Sequence, residues 1–173
     1  MWNSLHQSFN SILVLIFCLF SSPLHAALDI EIFGGGASQI PIAIIPFAAE
    51  ERLAQSVTAV VRSDLQRSGL FRMVDSVSSI PHEPSEIIYP DWQMRGVNAM
   101  VIGATRLLPN GQVEVRYRLM DIAKQQILIS DMETVSVKQL RAVAHRMADS
   151  IYEKLTGDIG VFSTRIAYVA KQG

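Results

Sequence analysis

The sequence predicts an α/β domain: a mixed sheet of about five to six strands with two main helices. Three observations lead there. Period-two strand patterns and 3.6-residue helical patterns alternate along the chain. The stretch IPIAIIPF (residues 40–47) is apolar on both faces, as in a strand covered from two sides. Two strand-like stretches are split by Pro109-Asn110-Gly111, a hairpin turn whose flanking strands keep one polar side. The resulting order is β-β-α-β-(α)-β-β-β-α, with both main helices expected on one face of the sheet.

The N-terminus stands apart from this fold. Residues 12–20 (ILVLIFCLF) form an unbroken apolar run, interrupted by Ser21, Ser22 and Pro23 and followed by Leu-His-Ala. That order fits a secretory signal peptide over 1–26, cleaved after Ala26, with Ala27 as the alternative cut. The run is too short to span a bilayer comfortably. The first eleven residues carry no Lys or Arg, which is atypical of such signals. The sole cysteine, Cys18, lies inside the run and reads as a simple hydrophobe. A mature chain beginning at Ala27 therefore has no disulfide, thiolate nucleophile or zinc–cysteine site.

After the signal, Leu28, Ile30 and Ile32 alternate with Asp29, Glu31 and Phe33, a strand pattern cut off by Gly34-Gly35-Gly36. Residues 40–47 are the central strand, bracketed by two prolines that cannot donate to a ladder. Over 50–68 the period changes: Leu53, Val57, Val60, Val61 and Leu65 fall at helical spacing, Glu50 and Glu51 occupy the first turn, and Gly69 is the C-cap. Residues 71–76 read as a short strand. Three prolines make 79–92 a loop leading to a short helix near 91–95. Residues 100–108 and 112–121 form the hairpin, with Val113, Val115, Tyr117 and Leu119 on one face. A turn at 124–126 leads to a strand over 127–135. Ser136 and Gln139 then make a capping box for a long helix through Leu140, Val143, Ala144, Met147, Ile151 and Leu155, ended by Gly157. Residues 157–160 read as a hinge, and 162–169 as a strand outside the domain. The division is 1–26 signal, 27–36 strand and glycine elbow, 37–157 α/β domain, and 158–173 beyond it.

Composition narrows function. With 49% hydrophobic and 18% charged residues, the chain can bury a core and is not a disorder candidate. A net charge of −1 gives no strong grip on nucleic acid or anionic lipid. Chemistry-bearing motifs are sparse. Gly34-Gly35-Gly36 precedes a strand rather than a helix N-terminus, so it reads as an elbow and not a phosphate loop. His82 sits in a proline-rich loop, and His145 reads as a solvent-facing partner of Asp149 one turn on, rather than a metal ligand. Asp121, Asp131 and Glu133 read as a solvated strand face, and Arg52, Arg62 and Arg67 as solubilising charges. No nucleophile elbow is present, and the expectation is no enzyme, no cofactor and no metal. The alternating strand directly after the cleavage site either docks in its own sheet or is lent to another protein by strand addition. Patterning alone favours the first.

Several stretches together resemble one family. They are LHA with its following acidic-aliphatic strand, IPIAIIPF, VVRSDLQRSGLF (residues 60–71), YEKLTG (152–157) and GVFSTRIAYV (160–169). They are similar to the TolB proteins of the periplasmic Tol-Pal cell-envelope system. The resemblance implies an anticodon-binding-domain-like N-terminal domain. It also implies that residues 164–169 open a six-bladed β-propeller that this chain lacks, as in a TolB truncated by gene decay or frameshift. It implies a non-enzymatic role in outer-membrane integrity and cell division. The segment that binds the inner-membrane protein TolA corresponds to Ala27, Leu28, Asp29, Ile30, Glu31, Ile32, Phe33 and Gly34. Binding of the lipoprotein Pal is implied only where a propeller is supplied. The alternatives are an inactive fragment and a small periplasmic ligand-binding domain.

Overall fold

Two inner strands with no solvent face organise the sheet. β1 (Ile40–Ile44) points Ile42 and Ile44 to one side, while Ala43 and, just past its end, Ile45 point to the other; all four are buried. β3 (Ala99–Leu107) does the same, with Ala99 and Val101 on the first side and Met100 and Ile102 on the second. This is the double coverage expected of IPIAIIPF. Fully burying one such aliphatic side chain stabilises the fold by about 1.5–3 kcal/mol.

The computed structural model describes residues 39–75 and 80–164, all within a unit spanning 38–173. Among them the sheet has five strands in the order β2-β1-β3-β4-β5. β2 (Phe71–Met73) and β3 both run parallel to β1, while β4 (Gln112–Asp121) and β5 (Gln126–Ser136) continue antiparallel. The sheet is therefore mixed, as expected. The β3–β4 register places Gly103 opposite Tyr117, and Val113, Val115, Tyr117 and Leu119 share one buried face.

That face is covered by α1 (Val57–Arg67) and α3 (Leu140–Thr156), which also pack on each other. Both main helices thus lie on one face, as predicted. The opposite face is covered by a short helix, α2 (Tyr89–Met94), whose Trp92 is buried with Ile87, Val97, Met100 and Ile122.

Boundaries differ from the sequence reading where a distant group intervenes. The first helix does not begin at Glu50. Glu50–Arg52 is a separate 3₁₀ turn, and α1 starts at Val57 behind the N-cap Ser56, whose Oγ accepts from the Ala59 N–H at 3.0 Å. Glu50 still serves the helix N-terminus: its buried carboxylate accepts from the Thr58 N–H at 3.1 Å. The short helix starts two residues earlier than expected, with Pro90 in its first turn. The Ser136–Gln139 capping box is present, but it first closes a 3₁₀ turn, Val137–Gln139, from which α3 continues. Gly157 ends α3 at φ 82°, donating its N–H to the Glu153 carbonyl at 2.8 Å.

The expected strand over 162–169 is corrected in its described part. Phe162 and Ser163 form a turn, closed by the Thr164 N–H on the Val161 carbonyl at 3.2 Å, and residues 165–169 lie outside the described residues.

Gly103 is fixed by close approach. A Cβ there would meet the carbonyl oxygen of Arg116 and lie 2.9 Å from the Phe47 ring. Gly103→Ala should destabilise the domain by about 2–3 kcal/mol, because backbone and a buried ring must move together. Urea unfolding measures this, and an unchanged midpoint would show that the β3–β4 pair yields easily.

Candidate interaction surface

The segment that sequence and resemblance single out, Ala27 to Gly34, lies outside the described residues. The polar chemistry that is described concentrates on the seam between α1 and α3.

At its centre is Asp64, with no exposed side-chain surface. His145 Nδ1 donates to Asp64 Oδ2 at 2.5 Å, and Arg67 donates to Asp64 Oδ1 from one turn along α1. The sequence reading paired His145 with Asp149; the structure pairs it with Asp64, 81 positions away. It also read Arg67 and Arg62 as solubilising charges. Arg67 instead neutralises a buried carboxylate, and Arg62 bonds Asp75 at 2.6 Å. The missed signal was present: Asp64 sits four residues after Val60 and three after Val61, inside the apolar stripe. An acid on a core stripe needs partners, since an uncompensated buried charge is costly.

Asp149 has a different role. Its Oδ1 accepts from the Phe162 N–H at 2.6 Å and its Oδ2 from the Ser163 N–H at 3.0 Å. Gly160 packs so close that a Cβ there would lie 2.6 Å from Asp149 Oδ1. Phe162 meets Tyr152 edge-on at 5.7 Å, and Tyr152 meets Phe71 at 6.1 Å. The expected hinge is therefore fastened to α3 through residue 164.

The remaining sequence candidates also have structural partners, except that the buried His82 Nδ1 has no hydrogen-bond partner among the described residues. Glu133 on β5 bonds Arg146 on α3, Asp121 Oδ1 accepts from the Lys124 N–H at 2.8 Å, and Asp131 Oδ1 accepts from the Met132 N–H at 2.8 Å. Arg52 pairs with its neighbour Glu51 at 3.7 Å, both largely exposed. On the far side of the sheet, Glu83 bridges Arg116 at 2.5 Å and Arg118 at 2.6 Å, tying the proline-rich loop to β4. The amides of His82 and Glu83 donate to Glu86, holding its carboxyl below the usual range. Among the described residues no group of three or more His, Cys, Asp and Glu is placed to hold a metal ion, and no helix is long and apolar enough to cross a membrane.

Tyr117 faces the helices from β4. Burial pushes its hydroxyl up to about 12, partly opposed by a hydrogen bond to Ser150, with Asp131 and Glu133 adding to the rise.

The chain is similar to known proteins in sequence and fold. A family model described as the TolB amino-terminal domain matches residues 28–128. The chain is 60% identical over 156 residues to the Tol-Pal system protein TolB of Nitrosospira multiformis, covering 90% of this chain and 36% of that protein. It is 52% identical over 160 residues to the protein of the same name in Nitrosomonas europaea, covering 92% and 38%. The crystal structure of TolB from Acinetobacter baumannii matches with a TM-score of 0.62 and 32% identity, over 73% of this chain and 30% of that one. The chain thus spans well under half the length of the curated relatives it matches.

Two measurements probe the seam. His145→Ala leaves Asp64 buried with Arg67 alone and should cost about 2–3 kcal/mol in urea unfolding. Arg146→Ala removes a half-exposed pair and should cost less than about 1 kcal/mol. Equal losses would contradict the burial argument. Tyr117 keeps its proton in the folded state up to about pH 12 but loses it near pH 10 when unfolded. Its contribution is therefore complete below pH 10 and lost as pH rises from 10 to 12, by roughly 2–3 kcal/mol. In Tyr117→Phe the alkaline fall in stability should be shallower over that window; an identical slope would remove Tyr117 as its source.

Proposed function

Because the chain belongs to the TolB amino-terminal domain family, we propose that it serves the Tol-Pal cell-envelope system as a periplasmic, non-enzymatic protein-interaction module. Its role is then support of outer-membrane integrity and cell division. The observation that carries this reading is the span of the family match, which begins at Leu28 and takes in the acidic-aliphatic segment together with most of the sheet. The relatives' shared name, Tol-Pal system protein TolB, supports the same assignment.

On this reading residues 1–26 are a signal peptide and 27–36 a partner strand with its glycine elbow. Residues 37–157 form the α/β domain, and 158–173 lead out of it. The partner strand, Ala27 to Gly34, engages a TolA-like inner-membrane protein. Strand addition supplies the physical basis: main-chain hydrogen bonds give affinity, and alternate side chains such as Leu28, Ile30 and Ile32 give specificity. Contact with the lipoprotein Pal belongs to this reading only where a propeller is supplied.

A pull-down with the C-terminal domain of TolA tests the proposal, comparing the chain with a version lacking residues 27–33. Retention of the first and loss of the second is the expected result. Equal retention of both would remove the assignment of the partner strand.

A further inference from the structure

The seam between α1 and α3 is also a groove. One basin of about 560 Å³ runs along α3 past Lys138, Arg141 and His145 to the fastened turn at Phe162 and Ser163. A second, of about 230 Å³, runs along α1 past Val60, Ser63 and Arg67. Arg141 lines both basins, which places its side chain between them.

Its charge is one-sided. Asp64 is the carboxylate among the lining residues, and it is fully buried and held by His145 and Arg67. Lys138 and Arg141 have no ion-pair partner among the described residues, and Arg146 adds a third cation whose partner, Glu133, lies on β5. Two cations without an ion-pair partner among the described residues thus stand over walls built partly from Val60, Ala142 and Phe162, in a chain whose net charge is −1.

We propose that this groove is a docking site for an extended acidic-aliphatic peptide of a partner protein, its carboxylates meeting Lys138 and Arg141. The geometry favours a peptide over a compact anion such as phosphate. A phosphate cradle needs free backbone amides, and the amides of Phe162 and Ser163 at the end of the groove are already taken by Asp149. What remains is spaced point charges along an open, partly apolar channel, which suits carboxylates on a chain with aliphatic side chains between them.

The test is fluorescence anisotropy of the purified chain at low ionic strength, with a labelled peptide of alternating valine and aspartate. The valine–asparagine peptide is the neutral control. The aspartate peptide should bind, weakening as salt is added, and the neutral one should not. K138E/R141E should weaken binding by at least about tenfold, whereas R52E/K124E, which changes net charge equally outside the groove, should leave it within about twofold. On the unmodified chain, peptide-induced NMR shifts should fall on the Ser63, Ala142 and Ser163 amides, a readout that stands if the charge-reversed chain fails to fold. Equal binding of the two peptides, equal loss in both double variants, or shifts elsewhere would overturn the proposal. So would displacement of the peptide by inorganic phosphate at matched ionic strength, which would mark a simple anion site.

Discussion

β1 and β3 lie side by side with side chains buried above and below, so the domain requires a layer on each face. The helical layer answers Ile42, Ile44, Ala99 and Val101, and the loop with α2 answers Ala43, Ile45, Met100 and Ile102. Parallel pairing of β2 and β3 with β1 imposes crossover connections, and α1 is one of these. The same constraint makes Gly103 necessary. There the helix-side ring of Phe47 and the β4 backbone both approach the strand, leaving no room for a side chain.

Close packing of two helices on a continuous sheet buries the Asp64 carboxylate between them, and this decides how it must be held. Asp64 is tolerated because two donors reach it from different elements, one from its own helix and one from α3. The pair therefore fixes the rotation of α3 against α1 as well as satisfying a charge. Asp149, one turn along α3 from His145, is thereby left to hold the chain as it leaves the helix. Fastened amides, the Gly160 contact and the Phe162–Tyr152–Phe71 ring series act together on that exit.

Much of this was legible in the sequence because it depends on local patterns. The double-sided apolar run of β1, the alternation Val113–Val115–Tyr117–Leu119, the stripe of α3 and its glycine cap are read within a turn or a strand. What was missed depends on contacts between distant residues. Glu50 looked like a first-turn residue, yet it caps α1 from a separate turn. His145 and Asp149 stand at ideal helical spacing, yet each bonds elsewhere, because tertiary partners outweigh an exposed pair worth a few tenths of a kcal/mol. The strand order could not be read either, since periodicity fixes faces and not neighbours.

The uneven charge of the α1–α3 face follows from the same structural uses of its acids. Asp64 is buried, Asp149 binds two amides, and Glu133 holds Arg146 from the neighbouring strand. Each of these acids is committed to positioning an element, while Lys138, in the turn before α3, and Arg141, in its first turn, have no ion-pair partner among the described residues. A chain with slightly more acids than bases can thus present a cationic groove, because the domain consumes its negative charges locally in holding helices and exit turn together. Net charge predicts average solubility, but the surface a partner meets is set by which charges the fold has already used.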